Sequence, residues 1–337
     1  MGAKTTVIIP TFGNALFAQW AIKSVQNQTV QDLEICIICD GSPPEMVAFF
    51  EKIAEKDPRI QLFTFPKSPR TGEPYRDIVI KKTAGQNIFY CAHDDLWLHN
   101  HIEQLERTLQ YNNFTNSFDL CIKATEKAVS PDKQYLEQLL NENELFRCIA
   151  SFDFIKKKNR TIIRWGYYLT GLTCGAHSRR AYFNLREGWI TTPLKYIPTD
   201  VFMWYKLIFS NPLAFITTQK VTALRFGQKP RSNWSEKKRY NELMHYYGII
   251  SSCKFMNRLN ELSLELDRLT PYRSMTNKAS FLRLSKVTSS GIRDAYRKNG
   301  LRIFARKLLL YSFHNVKALS IRLYCKIRFR RKQNKVY

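Results

Sequence analysis

The order of strand-like and helix-like segments in the first hundred residues constrains the fold of this chain more than any other feature. Short runs rich in Val, Ile and Phe alternate with segments in which apolar residues recur at helical spacing. Strand patterns cover residues 6–10, 33–39, 60–65 and 87–92, and helical patterns cover residues 15–28, 45–56 and 77–84. Strands that alternate with helices are typical of a sheet with helices on both faces. We therefore predict an α/β fold with a Rossmann-like sheet.

The pattern is less regular beyond residue 110. Residues 164–177 are predicted to form a loop, residues 178–185 and 201–209 helices, and residues 214–218 and 221–226 strands. Asp200 precedes the second of these helices, a position where an acidic residue is favourable. From Ser235 onward the pattern is mostly helical. Lys229-Pro230-Arg231 is interpreted as a basic turn on the surface, with contact to a diphosphate as the alternative.

The C-terminal region carries most of the net charge of +25. From Arg268 to Tyr337 there are nineteen Lys and Arg residues against one acid, Asp294, which leaves about +7 for the first 267 residues. Residues 301–327 mix basic residues with Leu, Ile, Phe and Tyr at spacings that suit a helix. Such a composition is typical of a helix that lies on an anionic membrane surface. Nucleic acid is the alternative partner, but no helix-turn-helix, zinc-finger or RNA-recognition signature accompanies the charge.

Targeting and membrane-spanning signals do not stand out in the sequence. No stretch approaches the roughly 20 consecutive apolar residues that span a bilayer. The N-terminus runs directly into a strand pattern without the apolar segment of a secretory signal. With a mean hydropathy of -0.35, these features predict a cytoplasmic protein.

Polar residues follow three of the predicted strands. Pro10-Thr11 closes the first strand, Asp40-Gly41-Ser42 follows the second, and His93-Asp94-Asp95 follows the fourth. In sheets of this class, ligands bind at the carboxyl ends of the strands. The three segments are therefore expected to meet in one crevice.

These pieces resemble, in order and spacing, glycosyltransferase family 2, whose members adopt the GT-A fold, a mixed Rossmann-like sheet flanked by helices, and transfer a sugar with inversion. The resemblance covers roughly residues 5–240. It rests on Val7-Ile8-Ile9-Pro10-Thr11 with Asn14, on Ile37-Ile38-Cys39-Asp40-Gly41-Ser42, on Arg76-Asp77 nine residues before Gly85, on Ala92-His93-Asp94-Asp95-Leu96-Trp97, and on Pro198-Thr199-Asp200.

The resemblance implies an enzyme that moves a sugar from a nucleotide diphosphate sugar to a glycan or lipid-linked acceptor with the help of a divalent metal, Mg²⁺ or Mn²⁺. Asp200 is the expected general base for the acceptor hydroxyl. The expected nucleotide-sugar-binding residues are Pro10, Thr11, Asp40, Arg76, His93 and Asp94. Asp94 and Asp95 are the expected metal ligands, because carboxylates suit hard cations that neutralise a departing diphosphate.

The chain departs from the family pattern at the first metal-binding carboxylate, which is Ala92 here, and at Thr199, where Glu is commoner. Metal binding is then expected to be weaker, to depend on Asp94 and Asp95, or to recruit a histidine. The acids also have simpler interpretations, since Asp is common at helix N-caps and in turns. A non-catalytic scaffold that binds a nucleotide sugar is therefore an alternative to the enzyme, as is a nucleic-acid-binding protein that uses the basic region.

The resemblance also suggests a division of the chain and a location. Residues 1–240 are assigned to a GT-A catalytic domain, with a nucleotide-sugar half at about 1–110 and an acceptor half at about 111–240. Residues 241–337 are assigned to a helical, strongly basic extension that associates with the membrane. Acceptors of this family are often lipid-linked glycans made at the inner face of a bacterial membrane. We therefore expect a cytoplasmic enzyme, peripheral on the inner face of the cell membrane, that builds a lipopolysaccharide, a capsule or a related surface polysaccharide.

Overall fold

The computed structural model describes residues 5–110, 113–122, 152–157, 160–165, 171–192, 198–210, 215–228 and 231–251. The chain divides into two compact units, Met1–Ala150 with Gly166–Leu264, and Ser151–Trp165 with Glu265–Tyr337. The basic region from residue 252 onward, with its predicted membrane-binding helix, lies outside the described residues. The predicted division at residue 240 stays a prediction.

The first unit begins with alternating strands and helices, as the sequence predicts. In chain order they are β1 (Thr5–Thr11), α1 (Ala18–Gln26), β2 (Leu33–Asp40), α2 (Pro44–Ala54), β3 (Ile60–Phe65), α3 (Glu73–Lys82), β4 (Asn87–Tyr90), β5 (Leu96–Trp97) and α4 (His101–Leu109).

The later described elements are more widely spaced along the chain. They are β6 (Phe114–Cys121), β7 (Phe152–Lys157), β8 (Arg160–Trp165), a 3-10 turn (Leu172–Cys174), β9 (Gly175–Ser178), α5 (Arg179–Phe183), α6 (Thr199–Ser210), β10 (Phe215–Arg225) and α7 (Glu236–Ile250). Strands β7 and β8 form an antiparallel hairpin that is the described part of the second unit.

The first unit is built on an eight-stranded sheet in the order β3-β2-β1-β4-β9-β6-β10-β5. The first four strands are parallel. Strand β9 runs antiparallel to both β4 and β6, whereas β10 is parallel to β6 and antiparallel to β5. A mostly parallel sheet that carries helices confirms the expected α/β class and the mixed sheet of a GT-A fold.

Burial explains why the central strands form where they do. Val7, Ile8 and Ile9 in β1 are fully buried, and so are the four consecutive residues from Ile35 to Ile38 in β2. A parallel strand covered on both faces needs a continuous apolar run rather than an alternating one. The polar residues at the ends of these strands therefore lie at the edge of a buried, closely packed sheet.

The predicted loop at residues 164–177 is wrong in part, because Gly175–Ser178 is a strand in the middle of the sheet. It pairs with β4 on one side and with β6 on the other. A Cβ atom at Gly175 would lie 2.4 Å from the ring of Trp204, so the strand needs glycine at this position. Four residues without hydrophobic alternation give no local strand signal, and pairing on both sides supplies what the sequence lacks.

Helix α3 begins at Glu73, four residues before the predicted start at residue 77. Gly72 precedes it in the left-handed conformation with φ at 73°, which favours glycine. Pro74 stands in the first turn, where a missing N–H costs nothing. The early start places Arg76 in the first turn of the helix rather than in a loop.

One further difference concerns the later elements. The strand patterns at residues 214–218 and 221–226 form one strand, β10, whose pairing with β6 shifts register between Thr217 and Val221.

Within the described ranges, no helix is both long enough and apolar enough to cross a bilayer.

Candidate active site

Asp40, at the end of β2, is held by the loop that follows β3. Its carboxylate accepts hydrogen bonds from the Ser68 backbone N–H at 2.5 Å and from the Ser68 hydroxyl at 2.8 Å. The ammonium group of Lys67 lies 2.8 Å from Asp40 Oδ2. A Cβ atom at Gly72 would lie 3.3 Å from the same oxygen. The loop of residues 67–72 therefore fixes Asp40 in position at the end of β2.

Arg76 is a buried cation with unused hydrogen-bond donors. Its Nη2 donates to the Thr71 carbonyl at 2.6 Å, and its guanidinium lies 4.8 Å from the centre of the Trp189 ring. Nε and Nη1 have no acceptor among the described residues. Burial lowers the pKa of Arg76, and attraction by acids that include Asp200 and Asp40 only partly offsets this effect.

Asp200 stands in the first turn of α6, as the sequence predicts. Its Oδ1 accepts a hydrogen bond from the Val201 backbone N–H at 2.8 Å. Surrounding protein atoms raise the pKa of Asp200, and the Val201 N–H and Arg76 oppose this rise. The hydroxyls of Thr199 and Thr71 lie 3.2 Å apart. The start of α6 therefore touches the loop that holds Asp40.

His93 joins the segment after β4 to the end of β1. Its Nδ1 lies 3.1 Å from the Pro10 carbonyl oxygen. A carbonyl only accepts, so Nδ1 carries the proton. Burial lowers the pKa of His93 and keeps the ring neutral. The ring contacts those of Phe12 and Phe17 in the loop between β1 and α1.

Asp94 and Asp95 have different surroundings. Asp94 Oδ2 forms an ion pair with Nη2 of Arg239 in α7, at 3.2 Å. Asp95 accepts hydrogen bonds from the Thr173 hydroxyl through Oδ2 and from the Phe226 N–H through Oδ1, the second at 2.9 Å. Burial, reinforced by the Asp94 charge, raises the pKa of Asp95 well above its usual value. Asp95 thus joins the segment after β4 to the 3-10 turn through Thr173 and to the end of β10 through Phe226.

A series of contacts brings most of the predicted residues to the same edge of the sheet. The Asp40 loop touches the start of α6 through Thr71. The position of a Cβ on Gly171 lies 3.9 Å from Asp200 Oδ2, and Thr173, two residues later, binds Asp95. Thr11 ends β1 at this edge, but its buried hydroxyl donates to the Ile38 carbonyl at 3.1 Å and joins β1 to β2.

The described residues do not form a complete metal site from protein groups alone. No group of three His, Cys, Asp or Glu side chains within them lies close enough to hold a metal ion. Both oxygens of Asp95 accept protein hydrogen bonds, and Ala92 has no ligand atom. Asp94 supplies one carboxylate. One carboxylate fits Mg²⁺, which is commonly bound by one or two carboxylates together with substrate phosphates and water.

Some residues that build this site were missed by the sequence analysis. Ser68 and Thr173 have no local pattern that marks them, since their roles depend on contacts across the fold. Arg239 does have one, because it precedes the buried residues Leu243 and Tyr246 at intervals of four and seven residues. Helical periodicity therefore distinguishes it from its basic neighbours.

The interpretation of Lys229-Pro230-Arg231 as a surface turn is wrong for Arg231. This side chain is 1% exposed and forms a buried ion pair with Glu242 at 2.6 Å. A second N–H of the guanidinium, Nε, donates to the same carboxylate at 2.7 Å. A two-point contact of this kind suits the planar fork of arginine. Arg231 therefore anchors α7 to the body, which fixes the helix that carries Arg239.

Comparison with known families agrees with this geometry. The family model described as glycosyl transferase family 2 matches residues 6–174, which is half of the chain. The chain belongs to glycosyl transferase family 2. The match includes the ends of β1, β2 and β4 and the 3-10 turn that binds Asp95.

Individual relatives match shorter segments. An uncharacterized glycosyltransferase of Rickettsia bellii is 33% identical over 137 residues, which cover 41% of this chain and 19% of the relative. A GalNAc(5)-diNAcBac-PP-undecaprenol beta-1,3-glucosyltransferase of Campylobacter jejuni is 28% identical over 92 residues, or 27% of this chain and 30% of the relative. The crystal structure of S. aureus TarS 1-349 with UDP aligns over 77% of this chain and 70% of that one, at 14% identity and a TM-score of 0.49. The chain thus spans about a fifth of the length of the Rickettsia bellii relative.

Proposed function

We propose that this member of glycosyl transferase family 2 transfers a sugar, with inversion, from a nucleotide diphosphate sugar to a hydroxyl of a glycan or lipid-linked acceptor. The observation that carries the proposal is the buried Arg76, whose Nε and Nη1 donors have no acceptor among the described residues. A buried donor without a partner is costly to the fold. A diphosphate would supply the missing acceptors at the edge of the sheet where ligands of such folds bind.

The donor half of the site is proposed to lie between β1, β2 and α3. Pro10 would line the nucleoside pocket, and Asp40, which Ser68 holds rigidly, would accept a hydrogen bond from the base. Thr11 would act by holding β1 against β2. Arg76 would bind the diphosphate, whose negative charge grows as the bond to the sugar breaks.

Asp200 is proposed as the general base. It would take the proton of the acceptor hydroxyl as that oxygen forms a bond to the anomeric carbon. On the opposite side of the carbon, the bond to the diphosphate breaks and the nucleoside diphosphate leaves with the electron pair, so the configuration inverts. The raised pKa of Asp200 makes it a stronger base than an exposed aspartate.

Asp94 is proposed as the protein ligand of a divalent cation, Mg²⁺ or Mn²⁺. Such a cation would act as a Lewis acid on the diphosphate oxygens. Asp95 was expected to share this task, but its hydrogen bonds to Thr173 and Phe226 favour a supporting role in which it positions Asp94. His93 would hold the same segment against Pro10.

The test is hydrolysis of a nucleotide sugar by the purified chain in Mg²⁺ or Mn²⁺. We expect Asp200→Ala and Asp94→Ala to abolish it. Asp32→Asn is the control, since Asp32 is exposed and its removal changes the net charge equally. Unchanged turnover in Asp200→Ala would remove this residue from the role of base. Nucleotide binding without transfer to any acceptor would favour the non-catalytic scaffold, which Ala92 makes the second candidate.

Docking of residues 241–337 on an anionic membrane completes the proposal. The charge of this region and the lipid-linked acceptors of the resembled family support it. Steep salt-dependent binding to DNA or RNA, without binding to lipid, would support the nucleic-acid alternative instead.

A further inference from the structure

The guanidinium of Arg239 lies beside the acidic segment after β4. Its Nη2 is 3.2 Å from Asp94 Oδ2, and 16% of the Arg239 side chain is exposed. The centre of its guanidinium lies 4.0 Å from the centre of the Phe17 ring. Stacking on an aromatic ring fixes the plane of a guanidinium and leaves its N–H edge available for hydrogen bonds.

The ion pair with Asp94 occupies few of the N–H donors of Arg239. A guanidinium has five N–H donors in a fork that matches a carboxylate or a phosphate at two points. Arg239 makes a single contact to Asp94, and its buried Nε has no acceptor among the described residues. Arg231 in the same unit contrasts with this, because it holds Glu242 at two points.

The local charge also favours an anion. Position 92, where the resembled family has a carboxylate, is Ala. The positive charge of Arg239 is therefore opposed by direct contact with one acid, Asp94. Glu236 and Glu242 in α7 also interact with it electrostatically, but Glu242 is already paired with Arg231. A diphosphate that approaches Asp94 meets a cation already in place.

We infer that Arg239 binds the diphosphate of the donor directly, so that the chain holds a nucleoside diphosphate without a divalent cation. The inference rests on the proposed function and adds to it a second cation, contributed by a different element from Arg76. Asp94 restrains Arg239 in the free protein. A cation that takes the Asp94 carboxylate, or loss of that charge, releases the guanidinium toward the ligand.

This arrangement gives Asp94 opposite effects under two conditions. Without metal, Asp94 competes with the diphosphate for Arg239, so Asp94→Asn should tighten binding. With metal, Asp94 is a ligand, so the same substitution should reduce the gain that the metal provides. Loss of the Asp94 charge alone would also lessen repulsion of the diphosphate, so the gain points to Arg239 only if it disappears when Arg239 is replaced as well.

The experiment is isothermal titration calorimetry with UDP, GDP, CDP and ADP, each compared with its monophosphate, in EDTA and then in Mg²⁺. In EDTA we expect the wild type to prefer the diphosphate of its base about tenfold or more, and Arg239→Gln to lose most of that preference. Lys237→Gln is the matched control, since Lys237 is exposed in the same turn of α7, and it should behave as wild type. Thermal unfolding midpoints verify that each variant is folded.

The outcomes separate the inference from the function on which it rests. Diphosphate binding that needs Mg²⁺ in the wild type and is unchanged in Arg239→Gln would overturn the inference and leave the proposed function intact. No binding of any nucleoside diphosphate under either condition would overturn both. A gain for Asp94→Asn in EDTA that is absent from the double variant Asp94→Asn/Arg239→Gln would support the inference, whereas an equal gain in both variants would overturn it.

Discussion

At the scale of single residues, Asp200 and Arg76 are ionisable groups whose charges are destabilised by their surroundings in the free protein. Protein atoms around Asp200 raise its pKa, and burial of Arg76 lowers its pKa. In each case the environment disfavours the charged form. Charged groups kept under such conditions are typical of functional sites.

The first prediction concerns the pH dependence of Asp200. Its folded pKa is raised above 3.8, so kcat/KM should fall as pH decreases through that raised value, and Asp200→Asn should lower kcat about 10²- to 10⁴-fold. The folded protein also binds this proton more tightly than the unfolded chain. Wild type should therefore lose stability relative to Asp200→Asn as pH rises from about 4 through the raised pKa of Asp200. Thermal unfolding midpoints across that range measure the difference, and a constant difference would contradict the burial of this charge.

The second prediction concerns Arg76. Replacement by Met removes a charge that burial disfavours, so the unfolding midpoint should equal or exceed that of wild type. Binding of the nucleoside diphosphate should weaken about tenfold or more, because two N–H donors are lost. Arg76→Lys keeps the charge without the fork and should give an intermediate affinity. A large loss of stability in Arg76→Met would instead indicate that the guanidinium is mainly a structural group.

At the scale of elements, the first three strands, which are rich in Ile, Val and Phe, were the easiest to predict. The bounds of β3 were predicted to the residue, and those of β1 and β2 within one. Strand β9 was missed because its four residues depend on pairing with neighbours rather than on their own pattern. The site shows the same division. Asp40 follows a predicted strand and Asp200 precedes a predicted helix, whereas Ser68 and Thr173 are brought to the acids only by the fold.

The third prediction contrasts two glycines. A Cβ atom on Gly85 would lie 2.5 Å from the backbone nitrogen of Thr6 in β1, which cannot move without disturbing the centre of the sheet. Gly85→Ala should therefore destabilise the protein by about 1–3 kcal/mol. Nothing lies within 4 Å of the same position on Gly248 in α7, so Gly248→Ala should stabilise by about 0.5–1 kcal/mol. Urea unfolding of both variants provides the measurement, and equal effects would contradict the close approach of Gly85 to β1.

At the scale of the whole molecule, the positive charge is distributed unevenly along the chain. The first 267 residues carry about +7 and include the site, whereas the remainder carries nineteen basic residues and one acid. Arg76 and Arg239 are proposed to bind the donor through individual contacts. The C-terminal region is suited to a surface, where many charges act together at long range.

The fourth prediction follows from that distribution. The full chain should bind vesicles of phosphatidylcholine with phosphatidylglycerol and should leave phosphatidylcholine alone unbound, with binding that weakens as salt increases. Each basic residue near an anionic surface contributes roughly 1 kcal/mol, so replacing Arg328, Arg330 and Arg331 with Gln should weaken binding about 100-fold.

The control for this prediction replaces Lys52, Lys56 and Lys237 with Gln, three exposed residues of the body whose loss changes the net charge equally. If the C-terminal region is the docking surface, the control should bind vesicles almost as well as wild type, because its charges lie outside that region. Equal losses in the two triple variants would mean that attraction depends on total charge rather than on a defined surface. Vesicle sedimentation at two salt concentrations distinguishes these cases, since a localised basic surface retains more binding at the higher concentration than the same charge spread over the body.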